Sequence, residues 1–134
     1  MVEEKVEKKA IDGGATYSAA IQAGNLLFIS GQVPTRDNST PENIREQTKI
    51  SLDGVLSVLE KAGGKLSDLV KLTVYLTDIK DFPEFNIAYR EFFEEHGITT
   101  NFPARATLAV AGLVRHEWKI EIEGYAYLIS ELNL

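Results

Sequence analysis

The chain contains no cysteine, which excludes a disulfide framework, a thiol nucleophile and a cysteine-ligated metal site. Histidine is nearly absent. His96 and His116 are the only two, each in a context that suits a helix end or a loop, and neither a metal-ligand spacing nor a Ser-His-Asp arrangement is visible. No apolar run reaches the roughly 18 residues needed to span a bilayer, and the charged stretch Met1 to Ala10 lacks the apolar centre of a signal peptide. Basic charge is also short: 14 Lys and Arg against 20 Asp and Glu leave a formal charge of -6, the wrong sign for neutralising phosphates. Lys61, Lys65 and Lys71 therefore read as solvated surface rather than a nucleic-acid patch. The glycines form no dinucleotide or phosphate-loop pattern. The expectation is a cytoplasmic protein with no membrane segment, metal or cofactor, and with nucleic acid disfavoured as a partner.

What is present fits one core. With 134 residues, 44% of them apolar, a single domain over 1-134 is expected, with 1-4 and 129-134 as loose ends. Thr16-Ala23 and Leu26-Val33 read as strands joined at Gly24-Asn25, a tight-turn pair. After a polar loop, Thr40 as N-cap with Pro41 at the first helical position opens a helix whose Ile44, Leu52, Val55, Leu59 and Ala62 form one stripe, ended by Gly63-Gly64. In Leu66-Thr77, Val70, Leu72, Val74 and Leu76 alternate with polar residues, as in a strand. Asp81 and Glu84 resemble a capping box for a second helix with an aromatic face of Phe82, Phe85, Tyr89, Phe92 and Phe93, read as core, before Gly97. Arg105-Gly112 and Lys119-Leu128 complete a ββαβαββ order, to which Lys5-Ile11 can add a strand. The fold class is α+β, a mostly antiparallel mixed sheet covered on one face by two helices.

Two charged positions stand out. Arg105 follows Pro103 at the start of a strand of otherwise small residues; it serves either an internal ion pair or exposed strand end, or a ligand carboxylate that its planar fork would match. In the last strand Glu121, Glu123, Tyr125 and Tyr127 alternate with Ile120, Ile122, Gly124 and Ala126, giving one polar and one apolar face. A face mixing small residues, tyrosines and isolated charges fits a subunit interface. If the last two strands form a hairpin around residues 113 to 118, Glu121 pairs near Val110 or Ala111, on the order of 15 Å from Arg105. Either the two have unrelated jobs, or they meet through another copy of the chain.

The segment Pro103-Ala104-Arg105-Ala106-Thr107-Leu108-Ala109-Val110-Ala111-Gly112-Leu113, followed six residues later by Ile120-Glu121-Ile122, resembles the signature of the reactive intermediate deaminase family, also called the RidA/YjgF family. Tyr17-Ser18-Ala19-Ala20-Ile21, Ser30-Gly31-Gln32, and Asp81-Phe82 through Asn86, Tyr89 and Phe92-Phe93 extend the likeness over nearly the whole chain. The resemblance implies a chorismate-mutase-like fold, a homotrimer with clefts between adjacent subunits, and hydrolysis of 2-imino or 2-enamine acids to 2-ketoacids and ammonia. It further implies Arg105 and Glu121 as the catalytic pair, meeting across subunits, with Tyr17, Ser30, Gly31, Asn86 and Thr107 joining Arg105 around the substrate. Three positions depart from the family pattern: Thr16 replaces a proline, Thr107 a frequent cysteine and Val114 a proline. Retention of Arg105 equally fits a non-catalytic carboxylate-binding or chaperone-like relative; ribonuclease activity is a third reading, disfavoured by the acidic charge and the lack of a histidine pair.

Overall fold

The computed structural model describes residues 7-129, so apart from Ile129 the expected loose ends lie outside the described residues. The chain runs β1 (Lys8–Gly13), β2 (Ser18–Ala23), β3 (Leu26–Gln32), α1 (Ile44–Lys61), β4 (Leu69–Leu76), α2 (Phe82–Glu95), β5 (Ala104–Ala109) and β6 (Ile120–Tyr127). The extra N-terminal strand exists as β1 and runs on to Gly13; Lys5 and Val6 of the expected Lys5-Ile11 lie outside the described residues. Gly24, at φ 60°, leads the two-residue connection that places Ala23 opposite Leu26.

The first helix begins later than its sequence signal implies, whereas the second begins at Phe82, directly behind Asp81, as expected. At α1 the cap is Asn43, whose side chain accepts the Glu46 N–H at 2.8 Å. Thr40 is already bonded to the Thr35 hydroxyl at 2.7 Å, and the Pro41 carbonyl accepts the Gln47 amide at 2.8 Å, so neither enters the helix. Before α2, residues Ile79–Asp81 form a 3-10 turn that runs straight into the helix. Asp81 is therefore helical in backbone and makes no side-chain cap, while Asp78 accepts the Lys80 N–H at 2.9 Å. Gly63, at φ 81°, takes the left-handed conformation that ends α1.

The six strands form one sheet in the order β1-β2-β3-β6-β4-β5, antiparallel except for the β4-β5 pair. The last two strands are thus not a hairpin. The 110-119 connection straddles the end of β4: the Val110 N–H donates to the Leu76 carbonyl at 2.8 Å and the Thr77 N–H to the Lys119 carbonyl at 3.0 Å. Glu121 consequently pairs with Tyr75, not with Val110 or Ala111. Gly124 lies deep in this join, where a Cβ would strike the Lys71 carbonyl oxygen and come 2.5 Å from Leu72 Cδ2.

One face of the sheet carries the core, with Leu72, Val74, Leu76, Ile120 and Ile122 fully buried beneath Leu52, Val55, Leu59, Phe85 and Phe93 of the helices. Val70 does not join the Leu72-Val74-Leu76 row as alternation predicts. A bulge between Leu69 and Lys71 shifts the phase there, so Leu69 is buried and Val70 exposed. The opposite face has no helix. Leu26, Phe28, Leu108, Tyr125 and Tyr127 are exposed on it, the Phe28 and Tyr125 rings packed edge to face at 5.5 Å. Gln47, completely buried, ties α1 to the loops: its amide donates to the Pro41 carbonyl and, at 3.0 Å, to that of Glu117, and its oxygen accepts the Lys119 N–H at 2.8 Å.

Candidate active site

Arg105 pairs with Leu72 and shares its side of the sheet, where α2 lies. Its guanidinium sits over the rings of Tyr89, Phe85 and Phe82, 4.7, 5.2 and 5.8 Å from their centroids. The aromatic stripe of α2 is core, as expected, but one edge of it also supports this cation. Arg36, Arg45, Arg90 and Arg115 each pair with a carboxylate; among the described residues Arg105 has none. The internal ion pair that would explain a buried arginine is therefore missing, and the planar fork is held half-buried and free to receive an anion. A cavity of about 430 Å³ opens beside it, lined by Asn86, Tyr89, Arg90, Phe102, Pro103 and Arg105. Thr107 lies two residues further along β5 on the same side, half-buried. The Tyr89 hydroxyl is buried without a hydrogen-bond partner. Burial pushes its pKa up to about 12 against the opposing pull of Arg105, so it stays a neutral phenol.

Glu121 occupies the other face. Its carboxylate rests on Gly31, where a Cβ would lie 2.7 Å from Glu121 Cδ and 3.0 Å from Cγ, so the absence of a side chain there makes the seat. The β3-β6 register shifts between Ile29 and Gln32, which puts Ser30 and Gly31 in a bulge beside the glutamate strand. Desolvation raises the Glu121 carboxyl above its ordinary pKa, and the charge of Glu123 raises it further. Ser30 Oγ donates to the Ser18 carbonyl at 2.6 Å, so that hydroxyl presents only lone pairs to a ligand. Tyr17 stands exposed in the β1-β2 connection and, with Gly31, Thr16, Gln32 and Arg36, borders a second cavity of about 580 Å³ that Glu121 does not line.

The predicted residues thus fall into two groups within the chain. Arg105, Asn86 and Thr107 lie on the helix side near the β5 edge; Glu121, Ser30 and Gly31 gather where β3 meets β6, and Tyr17 shares only a cavity with Gly31. Arg105 is aligned with Gly124 through Leu72, two strands away, and Glu121 is three residues along β6. Their α-carbons are on the order of 14 Å apart, with side chains on opposite faces. Sequence reasoning missed Arg90 and Phe102 as cavity walls and the support that Tyr89 gives Arg105. The i, i+4 spacing of Phe85 and Tyr89 was visible, but nothing in it says that a cation lies above.

The chain thus combines a mixed α+β sheet with one bare face, an unpaired arginine on an aromatic bed and, on the opposite face, a desolvated glutamate on a glycine bulge. The Endoribonuclease L-PSP family model matches residues 7-128. A 2-iminobutanoate/2-iminopropanoate deaminase of Escherichia coli is 40% identical over 112 residues, covering 82% of this chain and 85% of that protein. A RutC family protein of Pyrococcus horikoshii is 44% identical over 115 residues, 83% of this chain and 86% of its own length. The crystal structure of E. coli TdcF with bound serine superposes with a TM-score of 0.81 at 32% identity, over 95% of this chain and 100% of that one. The chain belongs to this family, the RidA/YjgF group, and has its chorismate-mutase-like fold.

Proposed function

We propose that the protein hydrolyses reactive 2-imino acids, formed from enamines such as 2-aminoacrylate, to 2-ketoacids and ammonia, at sites shared between the subunits of a cytoplasmic homotrimer. The observation that carries the reading is the unpaired guanidinium of Arg105, half-buried over the Tyr89, Phe85 and Phe82 rings beside a cavity of about 430 Å³, ample for a small carboxylate. Arg105 and Glu121 face away from each other in one chain, so one substrate touches both only if Glu121 comes from a second subunit. The bare sheet face with Phe28, Leu108, Tyr125 and Tyr127 exposed supports such association. The relatives named as deaminases support the chemistry.

Arg105 grips the substrate carboxylate and orients the imine carbon, with Asn86 and the Thr107 backbone or hydroxyl bonding the rest of the molecule. A water oxygen bonds to that carbon while the C=N π pair moves to nitrogen, and Glu121 accepts the proton the water releases. Once nitrogen is protonated, the C–N bond breaks with its electron pair leaving on ammonia, and the remaining hydroxyl gives up its proton to become the ketone. Free imines already hydrolyse in water, and each 1.4 kcal/mol of barrier lowering is about tenfold, so this sparse machinery suffices. The protein would limit damage by reactive metabolites.

A non-catalytic carboxylate binder of the same fold is the second reading, favoured by the same guanidinium; a chaperone-like role would use the bare face instead. Ribonuclease action has less support, because His116 is fully exposed in a loop and His96 is stacked on Phe92 at 4.3 Å, leaving no histidine pair. The test is to generate 2-aminoacrylate in situ and follow pyruvate and ammonia with wild type and Glu121→Gln. Acceleration by wild type that is lost in Glu121→Gln supports the enzyme; binding of a ketoacid without acceleration replaces it with the binder.

A further inference from the structure

Glu123 has no task in the reaction just described, yet its placement is tightly defined. It stands two residues after Glu121 on the same face of β6, and its Oε1 accepts a hydrogen bond from the Tyr75 hydroxyl. Tyr75 is the direct cross-strand partner of Glu121, and Thr73 that of Glu123, so the tyrosine reaches diagonally between the two carboxylates. An unheld glutamate on a partly open face would turn outward to escape a like charge. Bonded to a phenol on the neighbouring strand, this one stays.

We propose that Glu123, clamped by Tyr75, is a positioning residue whose fixed negative charge keeps the Glu121 carboxyl able to hold and return a proton during imine hydrolysis. The inference rests on the reading of Glu121 as the proton carrier. Its surroundings agree. On this face β6 presents Glu123 and Tyr125, with Lys119 two residues before Glu121; β4 presents Tyr75 and, further along, Lys71, opposite Tyr125. The neighbouring parts of β3 and β5 contribute no titratable group, only Ser30, Gly31, Ala106 and Leu108. Among the described residues no cation pairs with either glutamate. Burial raises the Glu121 carboxyl first and Glu123 adds to it, while the bond to Glu123 is the chief reason the Tyr75 phenol is pushed up to about 12. Tyr75 therefore remains a protonated donor to Glu123 throughout the working range.

The sign of the effect is fixed. Removing a like charge favours the ionised form, so in Glu123→Gln the Glu121 titration moves to lower pH. Any limb of the rate profile that Glu121 controls moves with it. Tyr75→Phe keeps the ring and frees Glu123 to turn away, which moves the titration in the same direction by less. The experiment follows the Glu121 carboxyl by carbon-13 NMR in full-length wild type, Glu123→Gln and Tyr75→Phe, and measures the pH dependence of 2-aminoacrylate hydrolysis on the same samples. Parallel displacement of titration and rate profile to lower pH, with KM little changed, is the expected result. An unmoved NMR titration refutes the coupling; a moved titration with an unmoved rate profile refutes its use in the reaction. Absence of hydrolysis already in wild type refutes the proposed function and takes this inference with it, an outcome distinct from a profile that is present and unmoved.

Discussion

Gly31→Ala and Gly124→Ala each add one methyl group to the same sheet, and the structure assigns them opposite consequences. At Gly31 the new Cβ would lie 2.7 Å from Glu121 Cδ and 3.0 Å from Cγ, close contacts that a side-chain rotation relieves. Turning Glu121 off its preferred rotamer costs about 1 kcal/mol, partly offset by the 0.4 to 1 kcal/mol that Gly→Ala gains from the unfolded chain. Net stability should change by less than about 1 kcal/mol, a Tm shift of about 4 °C at most for a chain of this size. The carboxylate, however, is displaced by about an ångström or more, a misplacement worth roughly 10²-fold in rate. At Gly124 the obstructions are the Lys71 carbonyl oxygen and Leu72, main chain and core side chain of the central strand pair, and neither can rotate aside. Overpacking there should cost about 3 kcal/mol. Thermal unfolding by circular dichroism, run beside the coupled pyruvate assay, separates the two. Gly31→Ala should retain its Tm and lose about 10²-fold in kcat/KM, while Gly124→Ala should lose Tm first. A Gly31→Ala protein with kcat/KM within twofold of wild type would refute the seating of Glu121 on Gly31.

Arg105→Ala removes a bidentate carboxylate grip worth about 3 kcal/mol, or about 10²-fold in kcat/KM; it breaks no ion pair, and losing the contact with the Phe82, Phe85 and Tyr89 rings should cost about 1 kcal/mol, a Tm fall of about 4 °C; Arg105→Lys keeps the charge but loses the fork and should recover only part of the rate. Equal rates for wild type and Arg105→Ala would end its role. Gln47→Leu abolishes three hydrogen bonds and strands the Lys119 N–H, and chemical denaturation should show a loss of about 3 kcal/mol. Phe28→Asp places a charge on the bare face; light scattering should show a smaller particle and the assay a loss of activity, whereas an unchanged mass would remove that face from the proposed interface.

Periodicity made much of the fold legible. The stripes of α1 and α2 and the polar and apolar alternation of β6 all correspond to observed burial. What periodicity cannot encode is which strands are neighbours. The assumption that β5 and β6 form a hairpin failed because a connection of ten residues leaves room for a strand to be inserted, and β4 is that strand. Bulges were invisible for a related reason: Val70 alternates correctly in sequence and is exposed only because the main chain slips one residue against β6. Capping signals were ambiguous where several polar residues compete, as Thr40 and Asn43 do. At the site, Arg105 and Glu121 were conspicuous as charges in apolar strands, but their opposite facing depends on pairing and had to be seen. Ser30 stood out within its motif, but the bond from its hydroxyl to the Ser18 carbonyl is a matter of three-dimensional proximity.

The placement of β6 also bears on how the chain comes to be folded. It joins β1-β2-β3 to β4-β5, so each of those groups lacks its central edge until the last strand in sequence arrives. During synthesis the ribosome delivers β1 to β5 first. Until β6 emerges, the inner edges of β3 and β4 remain unpaired and open to wrong partners, including each other. The Ile-Glu-Ile-Glu strand, read above as the seat of a carboxylate, is then also the keystone in time: nascent chains stalled before it should be held by chaperones, and those released beyond it should become protease-resistant in one step.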